Sequence, residues 1–72
     1  MKTEMSGHAW QRVHERHGDI GEELRAVVGR GDFAVLGTSP YQRGRCLCEA
    51  SVGGKRVQFV LGGDGGVVTV LP

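Results

Sequence analysis

The chain has 72 residues, enough for one domain with a thin core. Nine Lys and Arg against eight Asp and Glu give a formal net charge of +1, far from the excess of a protein that coats nucleic acid by neutralising phosphates. The polar start Met1-Lys2-Thr3-Glu4-Met5 has no apolar signal core and no later stretch reaches the length of a membrane span, so a cytoplasmic, membrane-free protein is expected.

Residues 1–5 read as a flexible N-terminus of a single domain covering 1–72. Ser6 is placed to cap a helix from Gly7 to His17, and Gly18 follows as the left-handed residue that ends it. Trp10, Val13, His14 and His17 recur at helical spacing and predict a stripe that meets the rest of the fold, with His8 exposed near the start. Asp19 and Glu22 have the spacing of a capping box for a second helix. Ile20, Leu24, Val27 and Val28 form its apolar face, and Gly29 is its expected stop.

From Asp32 the period changes to two. Phe33-Ala34-Val35-Leu36 is wholly apolar, the pattern of a strand covered on both sides or lying at the helix boundary. Gly37 to Gly44, with Pro40 inside it, reads as the longest loop. Gly53-Gly54 is a two-residue hairpin turn. Pairing outward from it sets Ala50 against Val57, Cys48 against Phe59 and Cys46 against Leu61 on a core face. Ser51 with Arg56, Glu49 with Gln58, and Leu47 with Val60 fall on the other face. A second turn centred on Asp64-Gly65 aligns Leu61 with Val68 and Phe59 with Val70, and sends Thr69 to the polar face. The expected architecture is α+β: two short N-terminal helices packed on one face of a three- to four-stranded antiparallel β-meander.

The charges are uneven. Arg43, Arg45, Lys55 and Arg56 are opposed by Glu49 alone in the middle of the chain. The outer sheet face collects Arg45, Glu49, Ser51, Arg56, Gln58 and Thr69 beside Leu47 and Val60, which suits either Arg-mediated recognition of a partner or charge stabilisation during phosphoryl chemistry. Cys46 and Cys48 point to the same side of one strand, a poor geometry for a disulfide, and read as reduced, buried small hydrophobes. His14 and His17 lie about one helical turn apart, but no Cys or carboxylate completes a ligand pattern, so no metal is expected. Gly62-Gly63-Asp64-Gly65-Gly66 lacks a phosphate-binding lysine and runs into a strand, so it reads as a turn and no cofactor is expected.

His8-Ala9-Trp10-Gln11-Arg12 and Glu15-Arg16-His17-Gly18 on the first helix, the short acidic second helix, and a meander ending Val67-Val68-Thr69-Val70 together resemble small toxin-like domains of the RelE and barnase-type RNase superfamily. The resemblance implies a metal-independent endoribonuclease of a toxin–antitoxin system, with a helix histidine (His8, His14 or His17), Arg45 or Arg56, and Thr69 as candidate catalytic residues; the set carried forward is His14, His17, Arg56 and Thr69. The near-neutral charge favours a different expectation. This is a small non-catalytic regulator that binds a protein of the transcription or translation machinery, as a phage-encoded inhibitor of host RNA polymerase would, with RNA as the alternative partner. Its candidate binding residues are Tyr41, Arg43, Arg45, Leu47, Glu49, Arg56, Gln58 and Val60.

Overall fold

The first helix forms where its capping residue stands. In the computed structural model, which describes residues 4–38, 44–63 and 65–72, α1 spans Gly7–His17. The Ser6 hydroxyl accepts a hydrogen bond from Ala9 N at 3.0 Å, and Gly18, at φ 82°, closes the helix with its N–H on the carbonyl of His14. Ala9 and Val13 are its buried residues, with Trp10 packed against the core from the side. The packed stripe is therefore rotated from the expected one. At about 100° per residue, His14 points about 120° from the direction midway between Ala9 and Val13, and it is exposed.

The second helix, α2, spans Gly21–Gly29 and buries Gly21, Leu24, Val27 and Val28. Two expectations about its ends are corrected. Its N-cap is Ile20, with no side-chain cap, so Asp19 makes no capping box. A tight turn sets the start instead: Ile20 N bonds Gly18 O, and the Trp10 ring lies where a side chain on Gly21 would stand. At the other end Gly29 remains helical, and the left-handed residue is Gly31, at φ 73°. Gly31 N bonds Val28 O while Asp32 N bonds Val27 O, the paired pattern of a Schellman ending.

Four strands follow: β1 (Ala34–Thr38), β2 (Cys46–Val52), β3 (Lys55–Leu61) and β4 (Val67–Val70), in the sheet order β1-β2-β3-β4, with every neighbouring pair antiparallel. The α+β meander with N-terminal helices is thus as expected, with four strands. Both helices lie on one face, α1 against β4 and α2 against β2. Cys48, Ala50, Val52, Val57, Phe59, Val67 and Val70 meet Ala9, Val13, Leu24, Val27 and Val28 in the core between them.

The β2–β3 register is the one read from Gly53-Gly54: Cys46 faces Leu61, Cys48 faces Phe59 and Ala50 faces Val57. Both turn glycines have positive φ, at 58° and 82°. The next hairpin departs from expectation. Phe59 does pair with Val70, but Leu61 pairs with Val67, because a bulge makes Val68 an extra residue on β4. That extra residue returns Val67 to the core side, where it is 1% exposed, and leaves Val68 half-buried. Asp64, the expected turn centre, lies outside the described residues.

Two further differences concern the sheet edges. The N-terminus, expected to be loose, is tied down from Glu4: Val67 N donates to Glu4 O at 2.8 Å, Ser6 N donates to Val67 O at 3.0 Å, and Met5 pairs with Val67 in a parallel bridge. On the opposite edge, β1 is covered on neither side. All five of its residues are exposed, because the helical layer ends over β2. Phe33, just before the strand, anchors that end by meeting the Phe59 ring edge-on, with centroids 5.7 Å apart. Among the described residues, no helix is long and apolar enough to cross a membrane.

Candidate functional site

The helices leave the opposite face of the sheet open, and the hairpin register decides which side chains it displays. Leu47, Glu49 and Ser51 come from β2, each opposite Val60, Gln58 and Arg56 of β3 respectively, and Thr69 of β4 stands opposite Val60. Arg56 Nε lies 3.3 Å from Glu49 Oε1, a diagonal pair across the hairpin. The Arg56 side chain is 86% exposed and that of Glu49 23% exposed, so the carboxylate is the seated partner and the guanidinium remains accessible. Such an exposed pair is worth roughly 0–1 kcal/mol, and its main effect is to hold the Arg56 head over the sheet.

Not every residue on this face is surface. Val60 is 1% exposed although it lies on the side away from the helices and outside the main core cluster. Its cross-strand partners Leu47 and Thr69 are half-buried, so the row Leu47–Val60–Thr69 forms an apolar floor under the polar groups. Val60 therefore supports the face without offering area to a partner. Gln58 is exposed, whereas Arg45 is half-buried at the end of the sheet, in a groove with Glu4, Met5, Ser6, Gly66, Val67 and Val68. Tyr41 and Arg43, the two remaining candidates for partner binding, lie outside the described residues.

The residues implied by an RNase resemblance are not brought together. His8 and His14 are exposed on α1, in the helical layer, while Arg56 and Thr69 belong to the opposite face of the sheet. Arg56 and the strand partner of Thr69, Val60, are themselves four positions apart on β3, about 13 Å at the usual strand rise. His17 has a structural partner: its Nε2 lies 2.7 Å from Leu71 O and donates to that carbonyl. Arg16, which sequence reasoning passed over, does the same next door, with Nη1 3.0 Å from Val70 O. A basic residue in the last helical turn was the only signal for it.

Cys46 and Cys48 are both free thiols on the core side, Cys48 buried and Cys46 half-buried. Burial, with a smaller contribution from Cys46, pushes the Cys48 thiol above its ordinary value and keeps it in the unreactive neutral form. Among the described residues no three His, Cys, Asp or Glu side chains converge as a metal site would require. No family model, curated protein or solved structure matches the chain.

Proposed function

We propose that the protein is a small non-catalytic regulator whose outer sheet face binds another protein, of the transcription or translation machinery, and modulates or inhibits it. One observation carries this reading. The sheet face away from the helices presents the accessible Arg56 and Gln58 above a buried floor at Val60, while the histidines available for proton transfer stand in the opposite layer. Recognition needs only a rigid platform and a few accessible polar groups, and an Arg that can make bidentate contacts is a common anchor. Acid–base cleavage of RNA would need its groups within hydrogen-bonding reach of one substrate. The near-neutral charge points the same way, because a ribosome or RNA surface rewards a strongly basic face.

The test is capture of partners from bacterial lysate on the tagged protein, with an Arg56→Glu/Gln58→Ala variant as control and the retained proteins identified by mass spectrometry. Retention of a polymerase or translation component by the wild type, reduced at least about tenfold in the variant, is the expected result. Retention that is indifferent to both substitutions, or fragmentation of purified RNA abolished by His14→Ala, would count against it.

A further inference from the structure

The two edges of the sheet are treated differently. Along β4 and the residue after it, Val67 N and O, Val68 O, Val70 O and Leu71 O are all bonded, by Glu4, Ser6, Arg16 and His17. Along β1, among the described residues, no hydrogen bond is made outside the ladder with β2. The same strand carries the exposed large hydrophobic side chains of the described residues, Val35 at 60% and Leu36 at 49%. An apolar strand with unpaired backbone groups on one side is a template for another strand.

We propose that β1 pairs with β1 of a second copy of this chain, antiparallel across a two-fold axis at Val35, joining two meanders into one continuous sheet. Charge favours this occupant. Ala34-Val35-Leu36-Gly37-Thr38 contains no ionisable side chain, so self-pairing sets no like charges opposite one another. Asp32, just outside the strand, is carried to the Thr38 end of the other copy and away from the other Asp32. With a net charge of +1 per chain, whole-molecule repulsion is small. A domain of this size also has a thin core, and association is one of the usual ways such domains gain stability. The bulge between Val35 and Gly37 shortens the run that can pair, so the dimer is weak and concentration-dependent. Pairing at β1 leaves Arg56 and Gln58 on the outer face and doubles the platform they occupy.

Sedimentation equilibrium of the purified chain from micromolar to millimolar concentration reads this directly, without any partner. The wild-type mass should climb from 7.7 kDa toward twice that value. Val35→Lys and Leu36→Lys, each at an exposed position and each checked for unchanged circular dichroism, should weaken the dimer by about tenfold or more. Amides of β1 should also gain hydrogen-exchange protection as concentration rises. A wild type that stays monomeric to millimolar concentration overturns the proposal, including the case in which a foreign peptide then protects β1. A dimer unaffected by both lysine variants overturns it equally, since the contact would lie elsewhere.

Discussion

At Gly21 the fold has no room for a side chain: an added Cβ would overlap Cζ3 and Cε3 of the Trp10 ring. Both are atoms of one rigid indole packed against the core, so the ring must turn out of its packed position or the helix carrying it must shift. Gly21→Ala should lower stability by about 1–3 kcal/mol in urea unfolding, the usual cost of overfilling a packed site. Trp10→Leu removes the overlapping ring, so the double variant should lose less than the sum of the two single ones. Cys48 makes a second prediction at this scale. Its thiol titrates above the ordinary value in the fold because it is buried first, and because Cys46 is near second. The neutral form is thus the one the fold favours. The associated stability is complete below the thiol value of the unfolded chain and is lost as pH rises through the higher folded value. Thermal unfolding across the alkaline range should show this decline in the wild type and a flatter profile in Cys48→Ala. At neutral pH an alkylating reagent should modify Cys46 before Cys48, because Cys46 is the less buried.

Among the elements, α2 shows how local rules can locate a helix and still misplace its ends. Its apolar positions Leu24, Val27 and Val28 were legible from their spacing, and all are buried. Its ends were not, because Gly29 and Gly31 are equally good stops in sequence and only packing against the sheet selects one. The structure selects Gly31, so Gly31→Ala should cost about 1–2 kcal/mol for forcing a Cβ into the left-handed region, and Gly29→Ala should cost less. Chemical denaturation of the two variants side by side distinguishes them; equal losses would contradict the Schellman ending. The hairpins repeat this lesson. Strict alternation around Gly53-Gly54 leaves one register that buries no charge, and that register is present. In the last hairpin Val67 and Val68 are chemically alike, so alternation cannot tell which faces inward, and the bulge is invisible until Glu4 and Ser6 are seen holding Val67. The candidate face was legible for the same reason as the first hairpin. The burial of Val60 on that face was not, since a valine in an alternating pattern reads alike on an exposed row and a covered one.

For the whole molecule, the consequential asymmetry is one closed edge and one open edge. The apolar run at β1 suggested a strand covered on both sides or lying at the helix boundary, because apolar residues on both faces usually mean cover on both. Two helices of this length reach only β2 to β4, so β1 lies beyond them. An arrangement with a single open edge can associate only in pairs: once two β1 strands meet, no free edge remains and growth stops. The five bonded groups along β4 and Leu71 are what keep the second edge shut, and three of them are bonded by Glu4 and Ser6. Removing residues 1–6 takes away the Glu4 carbonyl, the Met5 bridge and the Ser6 bonds to Val67 O and Val68 O, which frees three of the five groups and leaves the Arg16 and His17 contacts in place. That truncation should do two separable things. It should lower stability by about 2–4 kcal/mol, through the lost hydrogen bonds at Val67 and Val68, the lost Ser6 cap and the lost packing of Met5 on the core. It should also change the mode of association, because the Val67–Val68 end of β4 is then open as well as β1 and can add a neighbour. Light scattering should show the truncated chain growing beyond the dimer as concentration rises, while the full chain stops there. Adding Val35→Lys to the truncation should reduce that growth again, because one of the two edges is then blocked by its own charge.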